Sequence, residues 1–151
     1  MAKSSPKKFK AAVEATRSIK NCYQPGLRGF GANSAKINLT NTSLCNGSID
    51  IDACVREDYP NSNRWDYCFG YNNEAYFVEV HSANTGEVST MLNKLQWLKD
   101  WLNSDAPALN SIKAKVPFYW IQSGKYNILP NSPQSRRIAV AGIKPIAKLA
   151  L

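Results

Sequence analysis

The chain has a single histidine in 151 residues, and none of its four cysteines stands in a Cys-x-x-Cys pair. A zinc site of the usual Cys and His spacing is therefore not expected, and Cys22, Cys45, Cys54 and Cys68 are expected to be free thiols, mostly buried. Also missing is any apolar run near the ~18 residues that a bilayer-spanning helix needs. The N-terminal MAKSSPKKFK has basic residues with no apolar segment behind them, so no secretory signal is visible and the expected compartment is the cytoplasm, with no membrane partner. No internal repeat is present. The segment 26–31 (GLRGFG) lacks the Gly-Lys-Ser/Thr ending of a phosphate-binding loop and the spacing of a dinucleotide fingerprint.

Acidic residues are scarce at both ends. Residues 1–40 carry eight Lys/Arg and one acid, residues 106–151 carry seven and none, and the middle stretch 41–105 reverses this with four against ten. The net charge is +8. A basic periphery around an acidic centre suits a polyanion held by its phosphates beside a site that binds cations; basic ends that only aid solubility fit the same distribution.

At 44% hydrophobic and 20% charged residues, 151 residues are enough for one domain with a sizeable core. Residues 1–5 read as disordered. Pro6 suits a first helical turn, and Lys7–Tyr23 reads as an amphipathic helix with Phe9, Val13 and Ile19 on one stripe, ending before Pro25-Gly26. Residues 24–48 read as a long loop. Ile49, Ile51, Ala53 and Val55 alternate with polar residues, which predicts a strand over Ile49–Val55. Beyond it, Glu87–Asn103 has Val88, Leu92, Leu95, Leu98 and Leu102 at helical spacing, with Trp97 and Trp101 read as packing residues. Val116–Gln122 and Arg137–Ile143 read as two further strands, with Pro117 unsuited to a central ladder position.

The most informative stretch is Arg64–Ala83, RWDYCFGYNNEAYFVEVHSA. Large apolar residues occupy every second position from Trp65 to Tyr71, Asn72-Asn73 tolerates a tight turn, and Glu74–Ser82 alternates again. Pairing about that turn brings Asp66 and Glu79 near the same end of adjacent strands, a few ångströms apart at the ~4.8 Å interstrand spacing. Two carboxylates so close need a proton, a cationic side chain or a metal ion between them.

The order helix, three strands, helix, strand, with an Asp at the start of the second strand and a Glu on the third, resembles the PD-(D/E)xK nuclease superfamily, the restriction-endonuclease-like fold. The likeness covers residues 6–123, with 124–151 as a basic extension of the same single domain. It implies an α/β (α+β) fold with a mixed sheet of about four or five strands. It also implies metal-dependent hydrolysis of phosphodiester bonds, in DNA more than RNA, of restriction, repair or phage-defence type. Asp66, Glu79 and the carbonyl of Val80 would hold Mg²⁺ or Mn²⁺, with Glu14 or Asp52 as an accessory acid. Lys7, Lys8, Lys10, Arg28, Arg64, Arg136 and Arg137 are the candidate phosphate contacts. A homodimer would suit cutting of both strands of a duplex.

One departure matters. His81 stands where the superfamily has lysine, and an imidazole with an unperturbed pKa of ~6.5 supplies no permanent charge. Three outcomes stay open: His81 acts as base or ligand, Lys94 reaches in from the following helix, or the domain no longer cleaves and serves as a nucleic-acid-binding or protein-interaction module.

Overall fold

The computed structural model describes residues 8–151. The expected disorder of 1–5, and Pro6 and Lys7, lie outside the described residues. In chain order the elements are α1 (Lys8–Glu14), β1 (Ile37–Asn38), β2 (Cys45–Asp50), α2 (Ile51–Cys54), β3 (Tyr67–Tyr71), β4 (Glu74–Asn84), α3 (Val88–Ser104), α4 (Pro107–Ser111), β5 (Lys113–Asn127), α5 (Pro133–Ala141) and β6 (Leu149–Ala150). The fold is α+β, with a mixed four-stranded sheet in the order β2-β3-β4-β5. β2, β3 and β4 run antiparallel in turn, and β5 returns parallel to β4 through α3, as a parallel crossover requires. No helix among the described residues is long and apolar enough to cross a membrane.

Alternation along the strands sends side chains to two cores. Cys68, Phe77, Ala83 and Trp120 face α1 and α3, where they meet Phe9, Val13, Met91, Leu95 and Leu98. Phe69, Val78 and Ile121 face the other way, against Phe30, Ile37 and Leu149. The short parallel pair of β1 and β6 belongs to this second layer. Trp101 is buried and stacks on Trp97 with ring centroids 5.7 Å apart, in keeping with a packing role.

Five readings of the sequence need correction. The loop expected over 24–48 holds a 3-10 stretch over Arg28–Lys36, the short strand β1 and the start of β2 at Cys45, whose half-buried and buried residues pair with β3. The helix expected over Lys7–Tyr23 stops at Glu14: the amides of Thr16, Ile19 and Cys22 bond three residues back, as in Ile19 N–H to the Thr16 carbonyl (3.1 Å), while the Thr16 hydroxyl donates to the Ala12 carbonyl (2.8 Å), a bond that competes with regular helix. The strand expected over Ile49–Val55 instead ends at Asp50, whose carboxylate accepts from the Ala53 N–H (2.9 Å) and caps the single turn α2. Residues 51 and 55 lie four apart as well as on an alternating row, so both periods fit them.

The strand expected over Arg137–Ile143 is the helix α5. Ser132 accepts from the Ser135 N–H (3.0 Å), Pro133 opens the first turn, and Gly142 closes the last at φ 72°, a left-handed conformation that glycine adopts at little cost. Finally, the cysteines are not all free. Cys22 and Cys54 form a disulfide with Cα atoms 6.3 Å apart, leaving Cys45 half-buried and Cys68 buried as thiols.

Candidate active site

Asn72 and Asn73 turn the hairpin at φ 51° and 65°, and its ladder runs from Tyr71↔Glu74 down to Tyr67↔Val78. Beyond that pair the strands part, and two carboxylates take over the bonding. The Asp66 N–H donates to Glu79 Oε1 (2.9 Å), and the Val80 N–H donates to Asp66 Oδ2 (3.1 Å). In an extended strand a residue's N–H and C=O point to the same edge, so the Val80 carbonyl also faces Asp66. From the other side, the N–H groups of Ile51 and Asp52 donate to the Asp66 carbonyl at 2.8 and 3.3 Å. The turn that replaced the expected strand therefore holds Asp66 in place.

Glu79 is fully buried. Its Oε2 meets Lys94 Nζ at 2.7 Å, reaching down from α3, and His81 Nδ1 at 3.3 Å. His81 Nε2 lies 2.6 Å from Glu87 Oε1. A neutral imidazole has one N–H and one bare nitrogen, so a ring held between two carboxylates makes both contacts attractive only as imidazolium. Its pKa is raised accordingly, first by the hydrogen bond to Glu79, with burial opposing and Glu87 adding. Asp66 is pushed up to about 7 by burial and then by the Glu79 charge, with Lys94 and the Val80 N–H opposing. Burial and the neighbouring Glu79 charge thus favour the protonated form of Asp66, while Lys94 and the His81 ring lie against Glu79 and ease the repulsion between the two acids.

Among the described residues no group of three or more His, Cys, Asp or Glu is placed to hold a metal ion. The site offers a different set: Asp66, Glu79 and the Val80 carbonyl, all oxygen. Each carboxylate oxygen has about two acceptor positions, and Asp66 Oδ1 accepts no protein hydrogen bond among the described residues. A hard cation such as Mg²⁺ takes one or two carboxylates and keeps several waters; here Asp66 Oδ1 is the open oxygen, while Glu79 Oε1 accepts from the Asp66 N–H and Oε2 meets Lys94 and His81.

The other candidate residues lie elsewhere or are committed. Asp52 pairs with Arg64 Nε at 2.8 Å and Arg56 at 3.2 Å. It adds to the field that raises Asp66. Arg64 spends its remaining reach on the carbonyls of Tyr59 (2.7 Å) and Pro60, which leaves it little to offer a phosphate. Glu14 is exposed at the end of α1, and its charge acts on Tyr23. Lys8 is exposed, and Lys10 lies over the Tyr23 ring at 5.2 Å.

Arg28 lines a 510 Å³ cavity beside the disulfide. Arg136 and Arg137 line another of 470 Å³ between α3 and α5, where Arg137 donates to Ser89 Oγ (2.9 Å). Lys7 lies outside the described residues. The sequence reading missed Glu87; the available signal was an acid at the start of α3, six residues after the sole histidine.

The chain matches no protein-family model, no curated protein and no solved structure.

Proposed function

We propose that this domain is a metal-dependent nuclease of the PD-(D/E)xK type, hydrolysing phosphodiester bonds of DNA or RNA at Asp66 and Glu79. The observation that carries the proposal is the contact of Lys94 with Glu79, beside Asp66, on a mixed four-stranded sheet. Lys94 comes from α3 to Glu79, and we read it as standing in for the lysine that the superfamily has at the position of His81. Bound Mg²⁺ or Mn²⁺ would polarise the scissile phosphate and lower the pKa of a coordinated water. Asp66, Glu79 and the Val80 carbonyl would hold the ion. Lys94 and the His81 imidazolium hold fixed positive charge beside the phosphate, and Glu87 fixes the ring. The basic ends of the chain supply the phosphate contacts. The Cys22–Cys54 disulfide favours an oxidising compartment over the cytoplasm expected from the sequence.

A second reading rests on the charge balance. Lys94 and His81 lie against Glu79 and the pKa of Asp66 is raised, which eases the repulsion between the acids without a metal, as suits a nuclease-like domain that binds nucleic acid without cutting it.

Cleavage of mixed DNA and RNA with Mg²⁺, Mn²⁺ or EDTA separates the two, with Glu79→Ala and Lys94→Ala as controls. Metal-dependent cutting that both variants lose supports hydrolysis. Salt-sensitive binding with no cutting under any metal supports the binding module.

A further inference from the structure

We propose that the bulge of β5 beside His81 is a contact for single-stranded nucleic acid, with Tyr126 as a stacking platform and Lys125 on a phosphate. The inference deepens the functional reading above and rests on it. Between the pairs His81↔Gln122 and Ala83↔Tyr126, β4 advances two residues and β5 four. The two extra residues must leave the ladder, and such bulges re-aim side chains beside functional sites. Residues 123–127 are all exposed.

The bulge is held at both ends. Gln122 Nε2 donates to the Gly124 carbonyl (3.0 Å), Thr85 Oγ1 donates to the Asn127 carbonyl (3.3 Å), and the Leu129 N–H donates back to Thr85 Oγ1 (2.9 Å). An aromatic side chain on a pinned backbone loses little freedom when something stacks on it.

Register partners share a face, and so do residues two apart on one strand. Tyr126 therefore belongs to the face of Ala83, His81 and Glu79. Ala83 is fully buried there, yet Tyr126 is 41% exposed. It is one strand over from β4, ~4.8 Å, and two residues, ~7 Å, beyond His81. Lys125 makes no hydrogen bond or ion pair with another described side chain, and no acid occurs from residue 106 to the end of the chain. A cation beside an exposed aromatic ring is the pairing that single-strand binders use, because every base offers a π-face. In a duplex those faces are already covered by the neighbouring base pairs, which is why a single strand is the occupant.

The test is fluorescence anisotropy with labelled dT15, U15 and a 15-bp duplex, in EDTA so that binding is read without cutting. Tyr126→Ala is expected to weaken binding of at least one single strand by about 5- to 150-fold while duplex binding changes less than twofold. Tyr126→Phe should bind as the wild type, since it keeps the ring. Lys125→Ala should lower the slope of log affinity against log salt by about 0.7 for the single strand. Wild-type affinity of Tyr126→Ala for both single strands overturns the inference, as does equal loss in Tyr126→Ala and Tyr126→Phe. Failure of the hydrolysis reading shows separately, as an absence of cutting with single-strand binding through Tyr126 intact.

Discussion

Lys94 Nζ lies 2.7 Å from Glu79 Oε2, and the carboxylate it meets is 1% exposed. A charge buried that deeply depends on its partner, because removing one member of such a pair leaves the other desolvated and uncompensated. Lys94→Ala is expected to cost about 3–5 kcal/mol in urea unfolding. The double variant Lys94→Ala/Glu79→Ala should recover a large part of that loss, since it buries no orphan charge. A Lys94→Ala chain within about 0.5 kcal/mol of wild type would mean that His81 alone compensates Glu79.

The metal-free protein should lose stability as pH rises from about 4 to 7. Asp66 titrates near 3.9 when unfolded and is raised to about 7 in the fold. Within that window the folded state holds a proton that the unfolded chain has released, so the slope of unfolding free energy with pH is negative. The full contribution, on the order of 4 kcal/mol, is present below pH 4 and gone above 7. His81 works in the same direction: its raised pKa gives stability that is complete below its unfolded value of ~6.5 and is lost as pH passes the folded one. Urea titrations in EDTA from pH 4 to 8 check this, with Asp66→Asn expected to flatten the lower part of the profile. A wild-type profile that stays flat or climbs through this range would show that Asp66 is ionised in the fold.

Much of this site was legible because a hairpin is local. Alternating large apolar residues around Asn72-Asn73 fix the face and register of β3 and β4, and with them the meeting of Asp66 and Glu79. The arrival of Lys94 was open as one of three outcomes, since only the packing of α3 on the sheet decides which way a helical side chain points. The role of Glu87 was not legible, because the chain leaves the strand between His81 and the start of α3. Where two periods fitted the same residues, the alternating one misled. Ile138 and Val140 share a face in a strand, yet in α5 one is buried and the other is 89% exposed. The caps Ser132, Pro133 and Gly142 carried the decisive signal. Cys22 and Cys54 lie 32 residues apart, and spacing alone assigns no pairing.

Arg64 is expected to matter for stability and not for phosphate. Its bond to Asp52 and its two carbonyl acceptors tie the 59–64 turn to α2, and the side chain is only 14% exposed. Arg64→Ala should lower stability by about 1–3 kcal/mol and leave the salt dependence of nucleic-acid binding unchanged. A salt slope reduced by about 0.7–0.9 in that variant would instead count Arg64 among the phosphate contacts.

The disulfide connects stability to the site through a short path. Cys54 ends α2, a four-residue helix, and helices of that length do not persist alone. α2 is held by the Asp50 cap, by the bond to Cys22 and by its own amides on the Asp66 carbonyl. Reduction, or Cys22→Ser with Cys54→Ser, is expected to lower stability by about 3–4 kcal/mol for a loop of this length. If α2 loosens while the sheet stays folded, the amides of Ile51 and Asp52, which bond the Asp66 carbonyl, should lose hydrogen-exchange protection before those of Phe77 and Val78, because the β3–β4 ladder does not depend on the bridge. Exchange measured with and without a dithiol reductant, well below the melting temperature, reads this directly. Loss spread evenly over both sets would mark the disulfide as a global staple with no particular hold on Asp66.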